Sequence, residues 1–318
     1  MSATRRAMLA AMLAVPAAQA QEWPSRPIRF IVPYPPGGPT DILGRVAAQV
    51  LTQRLPQPVV VENRAGAAGA IGAEAVARAT PDGGTFLVNA SAHVIVPHMQ
   101  KLPFDAVADF APVTRIAAVP LILVVTPTLP VRSVGDLIAL AKAEPGRLSY
   151  ASSSNGGAPH LAGELFKQMA GVDLQHVPYR GSGQALPDLV AGNVQVMFDS
   201  LASSADLVRQ GRLRALAVTT EARIPAFPEL PTIAEAGVAG YAFSTWYGLW
   251  APARTPEPIL ARVQRELAAG LAAPEAAERL AALGAVAVAD PPADFAAFAA
   301  AESARYERVV RTANIRAD

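Results

Sequence analysis

The chain has 318 residues, of which 52% are hydrophobic and 17% charged, and its formal net charge is +1. That length is enough for two domains with cores of their own, and that composition excludes a disordered chain. No basic stretch interleaved with aromatics is present, which argues against a nucleic-acid partner, and the lack of cysteine excludes disulfides, thiolate nucleophiles and Cys-ligated metals.

Residues 1–20 read as an export signal peptide. Arg5-Arg6 precede the apolar run 7–18, and Ala18-Gln19-Ala20 is a small-x-small cleavage site that would leave Gln21 first in the mature chain. The run is too short to span a bilayer. Thr4-Arg5-Arg6-Ala7-Met8-Leu9 approaches a twin-arginine pattern, with Met where Phe is usual, so the Sec and Tat routes both stay open. No cysteine follows the leader to carry a lipid, and no second hydrophobic span follows it. The expected location is therefore the periplasm.

Strands and helices then alternate. Residues 27–33 form an apolar strand that stops at Tyr34-Pro35-Pro36-Gly37-Gly38-Pro39. The spacing of Ile42, Leu43, Val46, Val50 and Leu51 predicts an amphipathic helix over 41–55. Thr40 or Asp41 can cap its first turn. Pro56 and Pro58 end that helix, and 59–62 is a Val-rich strand of the kind buried in parallel sheets. A glycine-rich turn over 63–72 leads into a helix over 72–79, and Pro81-Asp82-Gly83-Gly84 turns into a strand at 85–89. Residues 93–115 are expected to pack irregularly against the first domain.

A strongly apolar strand follows at 121–125, then a helix over 134–143 and a strand at 148–151. Ser152-Ser153-Ser154-Asn155-Gly156-Gly157-Ala158-Pro159-His160 opens a helix over 160–170 and so repeats the strand, glycine turn and helix start of the first segment. Strand 174–178 ends in Tyr179-Arg180-Gly181-Ser182-Gly183 before a helix over 184–191, and strand 194–198 ends in Asp199-Ser200 before a helix over 201–209. Strand 213–218 is expected to cross back to the first lobe. An aromatic-rich stretch at 243–250 and surface helices at 257–271, 274–283 and 293–312 close the chain. This alternation predicts an α/β fold with largely parallel sheets. Two glycine turns, one in each half, suit a carboxylate held in a shared cleft. Each offers unpaired N–H donors at the positive end of a helix, and glycine lets the backbone come close.

Pro33-Tyr34-Pro35-Pro36-Gly37-Gly38 with Asp41 and Arg45, Gly66-Ala67-Ala68-Gly69-Ala70-Ile71-Gly72-Ala73-Glu74, Pro81-Asp82-Gly83-Gly84-Thr85 and residues 152–160 form a set of motifs. His176-Val177-Pro178-Tyr179-Arg180-Gly181, Leu230-Pro231-Thr232-Ile233-Ala234-Glu235-Ala236-Gly237 and Trp246-Tyr247-Gly248-Leu249-Trp250-Ala251-Pro252 extend it over essentially the whole mature chain. Together they resemble the Bug family, the TctC-like periplasmic receptors of tripartite tricarboxylate transporters. The resemblance implies a two-lobed type II periplasmic binding protein, a Venus flytrap with crossing hinge strands. Lobe 1 is expected over 22–120 plus 220–318, and lobe 2 over 121–219.

It also implies a small carboxylate ligand (a di- or tricarboxylate, an acidic amino acid or an aromatic acid) gripped by the two turns, partly through ordered water. By position, Tyr34, Gly37, Gly38, Thr40 and Asp41 would line one lip. Ser152, Ser153, Ser154, Asn155 and His160 would line the other, with Tyr179, Arg180 and Asp199 nearby. Pro39 stands where the family often has a small hydroxyl or Ala and removes one N–H donor; Gly44 replaces a common Ala.

Each polar candidate keeps a second reading. Asp41 is a cleft residue or a first-turn acid, and Asp199 faces a ligand or caps the helix over 201–209. Arg180 binds a carboxylate bidentately or pairs with a surface acid. His160 is weighted toward a structural role, and Trp246 and Tyr247 toward lobe packing. His93, His98 and His176 share no ligand spacing, and no Gly-x-Ser-x-Gly, His-Glu-x-x-His or P-loop motif is present. The expectation is thus a monomeric receptor, not an enzyme, with neither cofactor nor metal, that delivers its ligand to TctA- and TctB-like membrane transporter subunits. A sensor that presents ligand to a two-component kinase is the alternative.

Overall fold

One long strand is shared by two sheets. The structure is a computed structural model that describes residues 23–153, 155–179, 181–313 and 315. The signal peptide expected over 1–20, and the candidates Ser154 and Arg180, lie outside the described residues.

The first sheet begins with β1 (Ile28–Val32), α1 (Pro39–Arg54), β2 (Val59–Asn63), α2 (Ala70–Ala77) and β3 (Thr85–Ala90), followed by the short α3 (Ala92–Ile95). β1 pairs in parallel with both β2 and β3. Next comes β4 (Phe110–Val125), of sixteen residues. The second half of the chain adds α4 (Val134–Ala143), β5 (Ser149–Ser152), α5 (Ala158–Ala170), β6 (Gln175–Pro178), α6 (Ser182–Ala191), β7 (Val196–Ser200), α7 (Leu201–Arg209) and β8 (Arg214–Val218). The chain returns through β9 (Ser244–Pro252), α8 (Glu257–Leu271), α9 (Pro274–Ala282), β10 (Val286–Ala287) and α10 (Pro292–Thr312).

The strand order is β2-β1-β3-β9-β4-β7-β5-β6, with β8 and β10 also paired to β4. Parallel pairing is confined to the two outer groups, and the centre around β4 and β9 is antiparallel. That division follows from the connections. The βα steps on each side return the chain in one direction, whereas β4 and β9 carry it between the groups in opposite directions. Residues 110–120 of β4 pair with β9, and residues 121–125 pair with β7 and β8.

Two sequence expectations are corrected. Residues 110–115 belong to β4 and are not irregular. Pro112 falls beside a register shift with β9, where the break in pairing accommodates its missing N–H. Strand 213–218 does not cross back: β8 pairs with the second-sheet end of β4, and the return runs through 219–243.

Side chains alternate along the shared strand. Leu121, Leu123 and Val125 join the main core with Tyr150, Phe166, Trp246 and Trp250, while Ile122 and Val124 face a smaller core under α6 and α7. A third core packs Leu43, Val46, Val50 and Leu51 of α1 against Phe30, Phe86 and Val88. Each aliphatic side chain so buried contributes about 1.5–3 kcal/mol. Trp246 lies in the core, donates from Nε1 to Glu302 at 3.2 Å and packs edge-on against Phe295 and Phe298. α10 packs against β4, α3 and α5, and so touches elements of both halves. No helix of the described residues is long and apolar enough to cross a membrane.

Candidate functional site

A cleft of about 500 Å³ opens where the two halves face each other. Pro39, Ile42 and Leu43 of α1, Val119 and Leu121 of β4, Thr245 and Tyr247 of β9, and Leu283 line it from one side. Ser153, Ala158, Pro159, Ser182, Asp199, Ser200 and Ser203 line it from the other. The first residues of two helices thus meet across one space.

Those helix starts are alike. Gly38 caps α1 and Gly157 caps α5, both with extended backbone, and neither receives a side-chain cap. A proline follows in the first turn of each, at Pro39 and at Pro159, where its lack of N–H costs no helical bond. The remaining first-turn N–H groups, with the positive end of each helix dipole, face a site suited to an anion.

The first turn is held by Asp41. Its carboxylate accepts from the Gly37 N–H at 2.9 Å, from Arg45 Nε at 3.0 Å and from Asn63 Nδ2 at 2.9 Å. Gly37 adopts φ +86°, a left-handed conformation that only glycine takes without strain, and this lets its N–H turn back to Asp41. Burial alone would raise the Asp41 pKa. The hydrogen bonds from Arg45, Gly37 and Asn63, with the Arg45 charge, outweigh it and hold the carboxyl below its ordinary value. Asn63 also donates to the Tyr34 carbonyl at 3.0 Å, so one carboxylate and one amide tie both ends of the turn together.

Behind the second turn lies a network of titratable groups. His160 accepts the Gly156 N–H at Nδ1, 2.9 Å away, so its neutral ring carries hydrogen on Nε2. Its ring stacks on His176, with centroids 3.6 Å apart, and His176 Nε2 hydrogen-bonds Ser152 Oγ at 2.7 Å. Tyr150 also stacks against His176, with centroids 4.9 Å apart, and donates to Glu164 at 2.6 Å, and Lys167 pairs with Glu164 at 2.9 Å. Burial first, then the charges of His176 and Lys167, push the His160 pKa down to about 3. Burial likewise brings His176 to about 4, against the opposing pull of Glu164 and with help from Lys167. Both rings are neutral at pH 7.

Asp199, next to last in β7, lies at the cleft floor but is 0% exposed. It accepts from Ser182 Oγ at 2.5 Å, from Ser203 Oγ at 2.5 Å and from Ser204 Oγ. It does not cap α7 through the backbone. The cap residue is Ser200, which forms no side-chain cap bond, and Asp199 holds the helix by its serine hydroxyls instead.

Of the residues singled out from sequence, Ser153 and Asp199 border the cleft, as does Tyr247, which also packs in the core of the first half. Thr40, Asp41, Ser152 and His160 are buried behind the two turns, and Gly37 and Gly38 form the first turn itself. Asn155 lies in the second turn. Tyr34 packs beside Gly69, and Tyr179 turns outward to donate to Asp188 at 2.8 Å. Ile42, Leu43, Val119, Ser182, Ser203 and Leu283 line the cleft without having been singled out. Ser182 and Ser203 were findable in principle, because each stands just beyond a strand end that faces the cleft. Leu283 carries no local signal; it reaches the site through tertiary packing. Among the described residues no group of three His, Asp or Glu is placed to hold a metal.

Comparison with known proteins agrees with this architecture. Protein BugT of Bordetella pertussis is 39% identical over 295 residues, covering 92% of this chain and 90% of BugT. Rpa4515 of R. palustris, solved with adipate, is 40% identical with a TM-score of 0.77, covering 92% of this chain and 99% of that one. MatC of Rhodopseudomonas palustris, solved with bound malate, is 31% identical with a TM-score of 0.73, covering 91% and 100%. The family described as "Tripartite tricarboxylate transporter family receptor", TctC, matches residues 43–315. With that match across most of its length and a two-lobed fold shared with solved receptors of this kind, the chain belongs to the TctC family of solute-binding receptors.

Proposed function

We propose that this protein is a periplasmic receptor that captures a small organic carboxylate in the cleft and delivers it to the membrane subunits of a tripartite-type transporter. The observation that carries this reading is the meeting of two uncapped helix starts, at Gly38 and Gly157, on one cleft of about 500 Å³. Such a site stabilises a carboxylate through backbone donors and dipoles, without a permanently charged side chain. Relatives solved with adipate and malate support the same ligand class. The leader over residues 1–20 and the periplasmic receptors of the family support export.

On this reading the ligand carboxylate bridges the first turns of α1 and α5, with Ser153 beside it. Gly37, Gly38, Thr40 and Asn155 shape the two lips. Asp41, Ser152 and His160 hold those lips in place from behind. Ser154 and Arg180, which neighbour Ser153 and Tyr179 in the sequence, are proposed as further contacts. Lobe 1 is taken as 22–120 with 220–318 and lobe 2 as 121–219, hinged where β4 passes from one sheet to the other. Closure excludes water and so strengthens each hydrogen bond to the ligand.

Thermal-shift screening against mono-, di- and tricarboxylates, with neutral and cationic solutes as controls, tests this. At least one carboxylate should raise the unfolding midpoint while the controls leave it unchanged. A midpoint moved by neutral solutes and by no carboxylate would overturn it.

A further inference from the structure

The hydroxyl protons on the cleft floor are already committed. A serine hydroxyl has one proton and two lone pairs. Ser182 and Ser203 both give theirs to Asp199, each at 2.5 Å, and among the described residues Ser203 has one other acceptor in reach, the Ser200 carbonyl, 3.0 Å away. Ser204, fully buried, gives its proton to Asp199 as well. For either half-buried cleft serine to turn its proton toward a ligand, it would have to desert a buried carboxylate, the costlier partner to leave unpaired.

We propose that Ser182 and Ser203, oriented by Asp199, form an acceptor-only wall of the cleft, so that the bound acid meets them with a hydrogen-bond donor, a hydroxyl or an ammonium, rather than with a second carboxylate. This rests on the carboxylate-receptor reading above and narrows its ligand class. Asp199 is 0% exposed and one hydroxyl behind the cleft surface, so it acts through the serines as a positioning residue. Its charge adds to the effect, because a second carboxylate at this wall would face lone pairs backed by a negative group. On the facing side Thr245 and Tyr247 carry hydroxyls, whereas Ile42, Leu43 and Leu283 are apolar. These last three suit the carbon skeleton of the ligand.

The test is calorimetric titration with matched straight-chain acids of four to eight carbons, in four series: alkanoates, ω-hydroxy acids, ω-amino acids and α,ω-diacids. At its best length, the hydroxy or amino series should bind about tenfold tighter than the alkanoate, as one added hydrogen bond implies, and the diacid no tighter than the alkanoate. Whichever of the two donor series wins identifies the donor. Ser182→Ala and Ser203→Ala should each bring the ratio of donor-acid to alkanoate affinity close to one; Ser182→Ala keeps the test alive should Ser203→Ala fail to fold. Tightest binding by a diacid, or a donor preference that survives both substitutions, overturns the acceptor wall and leaves the carboxylate receptor standing. Failure of every series to bind overturns the acceptor wall, and the wider carboxylate screen above then decides the receptor reading separately.

Discussion

His160 and His176 stack face to face behind the second turn, with ring centroids 3.6 Å apart and planes 14° from parallel. Both rings have pKa values pushed below the ordinary 6.5, to about 3 and about 4, chiefly by burial. His93, fully enclosed in the first half, is lowered to about 4 in the same way. The unfolded chain takes up protons near pH 6.5 while the folded chain does not, so folding is favoured above that pH and loses stability below it. Each imidazole should contribute about 1.4 kcal/mol per pH unit between pH 6.5 and its folded value. Urea unfolding at pH 7.5, 6.5, 5.5 and 5.0 checks this in a window above the usual carboxylate range. His176→Gln should lower the slope by about one imidazole's share.

The Asp41 clamp gives a second expectation. Asp41 is almost fully buried and Arg45 is half exposed, so their ion pair alone is worth little, and the hydrogen bonds from Gly37 and Asn63 matter more. Asp41→Asn keeps the shape and sets an amide donor among three donors. It should cost about 1–3 kcal/mol of stability and weaken binding of any carboxylate, because the turn that presents α1 loosens. Chemical denaturation paired with titration of a bound acid measures both. Stability and affinity both unchanged would contradict the clamp.

Thr219 clasps the strand crossover. Its hydroxyl donates to the Leu121 carbonyl at 3.0 Å and accepts the Leu121 N–H at 3.1 Å, at the point where β4 leaves the first sheet. Thr219→Val removes both bonds without changing volume. A loss of about 1–3 kcal/mol is expected from the unmet buried N–H. Small-angle scattering should show a less complete ligand-induced compaction, since the hinge then lacks its tie.

Gly163 marks a close approach of α5 to its sheet. A Cβ there would stand 2.3 Å from Tyr150 Cε2, and Tyr150 is fixed by its bond to Glu164 and its stack on His176. Gly163→Ala should therefore destabilise by about 1–3 kcal/mol, despite the higher helix propensity of alanine. A thermal midpoint at or above that of the unmodified protein would show that Tyr150 can move.

Both turns were legible from sequence because their signals are local. A strand, a glycine-proline break and a helix start lie close together at 28–40 and again at 149–160. The long β4 was legible only over 121–125. Pro112 and Pro120 interrupt its pattern, and only pairing with β9, from far along the chain, makes 110–120 a strand. The destination of strand 213–218 was hidden for the same reason, since its sequence says strand but not which neighbour it pairs with. At the site, the acidic residues stood out but their partners did not. Asp199 was readable as a cap or a contact, and only the folded geometry brings Ser182, Ser203 and Ser204 around it. The apolar wall of Leu43, Val119 and Leu283 draws on three separate segments, which no local pattern joins.

The central claim, that backbone donors at two helix starts grip a carboxylate, is tested most directly by calorimetric comparison of the tightest-binding acid with its own primary amide. The two have nearly the same shape and differ in charge and in acceptor capacity at the gripped end. The acid should bind at least tenfold tighter, a difference of about 1.4 kcal/mol or more. Equal affinity for acid and amide would contradict it.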